Sequence, residues 1–195
     1  MFDRVVAEFS LFWVTQTILM ESFSSAWSIL AIDAAGKGKK TQTLSAWILN
    51  GKLNVNDLIK FADEAKDPIK ATCIEALEFA SKQKPNVVSK KAFDFVTETL
   101  DAKAPRVKWE SAKVIGNVVS LFSNDLEEPI RLLLKNSTFE GTVVRWSTAF
   151  ALGEIIKLKT KHNKHLLPAI EKVCAKEEKN SIKKIYMAAI KSLNS

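Results

Sequence analysis

At 195 residues, 47% hydrophobic and 26% charged, the chain is long enough for one continuous core and has the composition of an ordinary soluble globular domain. Six Gly, five Pro and the lack of any Ser/Gly-rich or Pro-rich stretch exclude an obvious flexible linker, so a single domain over 1–195 is expected. The net charge of +7 lies in the last quarter, because residues 1–140 carry 18 Lys and Arg against 18 Asp and Glu, and residues 141–195 carry 11 against 4.

The first element is read from MFDRVVAEFSLFWVTQTILM. Phe2, Val5, Val6, Phe9, Phe12 and Trp13 recur at three- and four-residue steps, which predicts an amphipathic helix. Asp3, Arg4 and Glu8 interrupt the apolar run, and no small-residue cleavage pattern follows it. It is also too short to span a bilayer, and its polar face lacks the Lys/Arg enrichment of a membrane-surface helix, so no membrane partner is expected. Met20 offers an alternative start to the domain, which leaves open whether residues 1–19 belong to it.

Ser24 or Ser25 is placed to cap a helix through Ala34, and Thr41 or Thr43 another through Leu49, with Gly36, Gly38 and Gly51 as breakers. Gly36-Lys-Gly-Lys-Lys-Thr41 has part of the composition of a phosphate-binding loop. Asp33 stands where that motif needs its first Gly, however, and no strand is expected before it.

From residue 55 the chain repeats. The segments IKATCIEALEFA from Ile69, VKWESAKVIGNV from Val107, VRWSTAFALGEI from Val144 and IKKIYMAAIKSL from Ile182 align without gaps, at spacings of 38, 37 and 38 residues. Each begins with a β-branched residue followed by Lys or Arg and continues with an apolar stripe at helical spacing. Each is preceded by another amphipathic stretch, around Leu58–Ala65, Ala92–Leu100, Ile130–Leu134 and Leu166–Val173. The unit is helix, turn, helix.

This pattern resembles the HEAT family, including the HEAT-like repeats of phycobilisome-lyase type. The segment from Val144 to Ile155 is similar to the second helix of such a repeat, and Asp67-Pro68-Ile69-Lys70 to the turn that opens it. The resemblance implies an all-α solenoid of antiparallel helical hairpins with about eleven helices. Irregular leading helices occupy residues 1–54, and four clearer repeats occupy 55–195.

At about 100° per residue, Ser111, Ala112, Ile115, Val118, Val119 and Phe122 share a wedge with Val107 and form the expected core face. Gly116 and Gly153 lie at its edge, where helices can approach closely. Trp109 and Trp146 share one repeat position at the wedge boundary and are read as core. The basic column Lys70, Lys108, Arg145 and Lys183 lies toward the core side, so its charges are expected on carboxylates and helix-end carbonyls.

The outward positions are Thr72, Glu75 and Phe79 in the first repeat, Glu110, Lys113 and Asn117 in the second, and Ser147, Phe150 and Glu154 in the third. They are expected on the concave surface, the usual binding face of solenoids. With acids, hydroxyls and two exposed aromatics, Phe79 and Phe150, that surface suits a protein or peptide partner better than a phosphate backbone.

The run from Lys157 to His165, with Lys157, Lys159, Lys161 and Lys164, is expected to be the loop between two repeats. It is either solvated surface or a docking patch for an acidic partner or nucleic acid. Cys73 and Cys174 lack a nearby second Cys, and His162 and His165 do not complete a metal set with them. The reading is a reduced, cytoplasmic, non-enzymatic scaffold with no metal and no cofactor. The alternative is a nucleic-acid-binding HEAT-like protein, including an activity like that of HEAT-like alkylpurine DNA glycosylases, which use Trp, Asp and Arg. Here Trp47, Trp109, Trp146 and Arg145 match that set by residue type, without an Asp among the concave positions.

Overall fold

The computed structural model describes residues 37–193, and the helices expected before Lys37 lie outside them. Among the described residues there are nine α-helices and no strand. The sequence predicts about eleven helices, two of them within residues 1–36, outside the described residues.

Helix α1 (Lys37–Leu49) starts four residues before the expected Thr41 cap and carries Gly38 inside it. The Thr41 hydroxyl instead donates to Glu75 Oε2 at 2.8 Å. Gly51 does act as a breaker: its φ of +75° ends the helix in a conformation that side-chain-bearing residues rarely adopt. Helix α2 (Val55–Glu64) is capped by Asn54, whose Oδ1 accepts from the Asn56 N–H at 2.8 Å. Pro68 sits in the first turn of α3 (Asp67–Gln83), where its missing N–H costs nothing. Ser89 caps α4 (Lys90–Glu98) by accepting from the Ala92 N–H at 3.1 Å.

Pro105 opens α5 (Pro105–Val118), and Glu127 and Glu128 place negative charge at the N-terminal dipole of α6 (Glu127–Asn136). Then follow α7 (Thr142–Lys157), α8 (Asn163–Lys176) and α9 (Asn180–Lys191). Asn163 Nδ2 donates to Ile156 O at 2.7 Å and ties the start of α8 to the end of α7.

The second helices α3, α5, α7 and α9 pack side by side in chain order, and α2, α4, α6 and α8 each pack on the second helix that follows. The core lies between these two rows. Val107, Val144 and Ile182 are buried at equivalent positions, as are Ser111, Ala112, Ile115, Val118 and Val119. Phe122 is half-buried, and its ring stacks on Phe93 with centroids 4.3 Å apart.

The basic column is structural where its bonds are seen. Lys108 Nζ donates to Leu100 O and to Asn136 Oδ1, both at 3.0 Å, and stands 5.5 Å from the centre of the Phe139 ring. Burial lowers its pKa from the ordinary lysine value. Arg145 donates to Glu177 Oε2 at 2.9 Å and to the Phe139 and Glu140 carbonyls at 2.9 and 2.8 Å. Lys70 approaches Asp63 at 3.9 Å. No helix among the described residues is long and apolar enough to cross a membrane.

Candidate protein-binding face

Three second helices, α3, α5 and α7, carry the nine positions expected to face a partner, and the structure divides them. Phe79 is 43% exposed, and Thr72, Glu75, Lys113, Asn117, Phe150 and Glu154 are half-buried. Glu110 and Ser147 do not belong to an open surface. The Ser147 side chain is enclosed and donates its hydroxyl to the Val143 and Val144 carbonyls of its own helix, at 3.1 and 3.0 Å. Glu110 is only 3% exposed, because the helices on either side close over it.

Glu110 is buried within a charged network. Its Oε1 accepts from the Trp109 indole N–H at 2.7 Å and its Oε2 from Lys113 Nζ at 3.0 Å. Lys113 reaches back to Glu78 Oε2 on α3 at 3.2 Å, so one ammonium joins two carboxylates across neighbouring repeats. Burial pushes the Glu110 carboxyl up, partly countered by Lys113 and Trp109. Burial also works against the Lys113 charge, but Glu110 and Glu78 outweigh it and hold the ammonium above its ordinary value. Asn117 Nδ2 donates to Glu78 O at 3.2 Å and to the Ser81 hydroxyl at 3.1 Å.

A second bridge runs along the same two helices. Arg106 donates to Glu75 Oε2 at 2.8 Å and to the Thr72 hydroxyl at 3.3 Å. Arg106 stands one residue before the repeat start and Glu78 one before Phe79. Neither occupies an outward column of the repeat, so the helical pattern alone does not single them out.

The aromatic groups exchange the places expected of them. Phe150 is not an open aromatic, because its ring lies over Gly116 of α5. Trp146 is not core but 41% exposed, stacked on Phe150 with centroids 6.3 Å apart and planes 12° from parallel. Trp109 is half-buried and spends its N–H on Glu110. Val143, one turn before Trp146, is also exposed, so α7 presents an apolar strip, and it packs against α5, which carries the Glu110–Lys113 network.

Solved structures share this arrangement of helices. A designed armadillo repeat protein, YIII(Dq.V1)4CPAF, in complex with peptide (KR)4 superposes with a TM-score of 0.65 at 17% identity, over 91% of this chain and 85% of that one. Its fold is the armadillo/HEAT-like helical-repeat solenoid. Computationally designed armadillo repeat proteins for modular peptide recognition match with a TM-score of 0.66 at 16% identity, over 90% of this chain and 84% of that chain. The CpcE–CpcF complex of phycocyanin lyase from Nostoc sp. PCC7120 matches with a TM-score of 0.65 at 16% identity, covering 83% and 95%. No protein-family model matches the sequence, and no curated protein matches it.

Within this solenoid the lysine run is not one loop. Lys157 ends α7 and pairs with Glu154 at 2.6 Å, while Lys164 and His165 lie in the first turn of α8. The connection proper carries Lys159, at a φ of 54°, and Lys161. Of the residues matching the glycosylase set by type, Arg145 pairs with Glu177 and Trp109 donates to Glu110. Cys73 is buried and its thiol is pushed up to about 12 by that burial, which leaves it protonated at neutral pH.

Proposed function

We propose that the protein is a non-enzymatic binding module that holds a protein or peptide segment against the α3–α5–α7 face. The observation that carries this reading is Trp146, exposed and backed by the half-buried Phe150 ring, on the helix that packs against the charged network of α5. Trp is among the residue types enriched in interface hot spots. Phe79 supplies a second exposed aromatic two helices away. Support also comes from the matching solenoids, of which one holds a peptide, others are designed for peptide recognition and one is the complex of CpcE and CpcF of phycocyanin lyase. Free, buried Cys73 and Cys174 agree with a reduced, cytoplasmic setting.

The test is parallel affinity capture with the wild type and a Trp146→Ala/Phe79→Ala variant, after circular dichroism has verified equal helix content. A partner held through this face is lost or weakened at least tenfold in the variant, and equal capture by both proteins overturns the reading. The nucleic-acid alternative has less support, because Arg145 is engaged by Glu177 and loop carbonyls. Release of alkylated bases from DNA by the purified wild type would replace the binding reading with an enzymatic one.

A further inference from the structure

The row of first helices opens between α6 and α8. Two cavities lie there, one of about 440 Å³ beside the N-termini of both helices and one of about 390 Å³ beside the C-terminal end of α8, where Ser137 and Thr138, just after α6, and Arg145 of α7 complete the lining. Ile130 and Leu134 of α6 and Leu166 of α8 line the first, and Val173 of α8 lines the second, so the floor is apolar. The rim on the α8 side is cationic. Lys161 edges the first cavity, Lys172 and Lys176 edge the second, and all three are exposed.

The local acids do not neutralise this rim. Of the four carboxylates in residues 141–195, Glu154 is paired with Lys157 and Glu177 with Arg145, and Glu178 lines the second cavity beside Lys172 and Lys176, which leaves that cavity with one positive charge in excess. Across the groove, Glu128 holds Arg131 and Asp101 holds Lys135, while Glu127 stands at the α6 N-terminus, where the helix dipole favours a carboxylate.

We infer that this groove docks an acidic amphipathic segment of a partner protein, with apolar side chains on the Ile130–Leu134–Leu166 floor and carboxylates on Lys161, Lys172 and Lys176. Charge complementarity selects the acidic partner. The apolar floor selects a peptide over a nucleic acid, since a phosphate backbone has nothing to place on Ile130 and Leu134. This site is separate from the α3–α5–α7 face.

The experiment uses fluorescence anisotropy of the full chain with three fluorescein-labelled probes. These are a twelve-residue peptide of Leu at every third or fourth position separated by Glu and Asp, the same peptide with Ser for Leu, and a duplex DNA. Expected is binding of the Leu-containing peptide that weakens with added salt, falls about tenfold or more on K161E/K172E/K176E, and survives W146A. The Ser peptide is expected to bind at least tenfold more weakly. Equal binding of the two peptides, or no binding of either, overturns the inference. So does tighter binding of DNA that is lost in the same triple variant with a log–log salt slope near −0.9 per phosphate, which would assign the lysines to nucleic acid. Because all three lysines are exposed, the variant is expected to keep the wild-type circular dichroism spectrum. If it does not, the Ser peptide against the wild type decides the matter without any substitution.

Discussion

Phe150 of α7 lies directly on Gly116 of α5: a Cβ placed on Gly116 would meet Phe150 Cδ1 at 2.7 Å and other ring carbons as well. Gly116 is thus what allows the aromatic ring to lie down between two repeats and support Trp146 from below.

Gly116→Ala is therefore expected to destabilise the fold by about 1 kcal/mol, an overpacking cost of about 1–3 kcal/mol less the gain of about 1 kcal/mol from replacing a helical Gly. In a Phe150→Ala background the same change removes no packing and is expected to stabilise by up to about 1 kcal/mol. Urea denaturation of the four proteins measures the sign reversal, and additive effects would mean that the ring does not rest on Gly116.

Trp109 and Trp146 occupy one repeat position and are expected to differ. Trp146 is 41% exposed, so Trp146→Ala costs less than about 1 kcal/mol. Trp109→Ala removes a half-buried ring and leaves buried Glu110 without one donor, costing about 2–3 kcal/mol. Urea midpoints at constant slope distinguish the two. Equal losses would return Trp146 to the core, where the sequence reading put it.

Asn136 holds the buried Lys108 ammonium. Asn136→Leu is expected to cost about 3 kcal/mol, because that ammonium is left with the Leu100 carbonyl as its only oxygen ligand. Replacing both partners, as K108M/N136L, removes the unpaired charge and is expected to recover most of the loss in thermal denaturation.

The Arg145–Glu177 pair gives a dependence on pH. Burial opposes the Glu177 carboxylate, but bonds from Arg145 and from the Lys179 N–H outweigh it and hold the carboxyl below its ordinary value. A carboxyl lowered in the folded state stabilises fully above the unfolded value, and the contribution drains as pH falls through the folded value. Glu177→Gln is thus expected to destabilise by about 3 kcal/mol at pH 7 and progressively less below about pH 4.5. Urea titrations of both proteins across that range give the difference, and a pH-independent gap would remove the pair from the stability of the fold.

The hairpin repeat is legible in the residues alone, because a buried stripe must recur every 3.6 residues and the spacing of 37–38 residues places Val107, Val144 and Ile182 in equivalent enclosed positions, while Ile69 at the head of the series is exposed. The framework role of Lys108 and Arg145 is legible in the same way, since their helical angle turns them toward the core. What the tertiary structure alone decided was the exposure of residues at the edge of that stripe. Glu110 and Trp146 lie near the wedge boundary, where a few degrees of helix rotation and the size of the facing side chain decide which is covered. Gly116 lets Phe150 lie down and leaves Trp146 in the open, while Lys113 and Trp109 supply the partners that make a buried Glu110 tolerable. The opening between α6 and α8 was equally out of reach of the sequence, because it depends on the spacing of two helices 36 residues apart in the chain and not on the pattern within either.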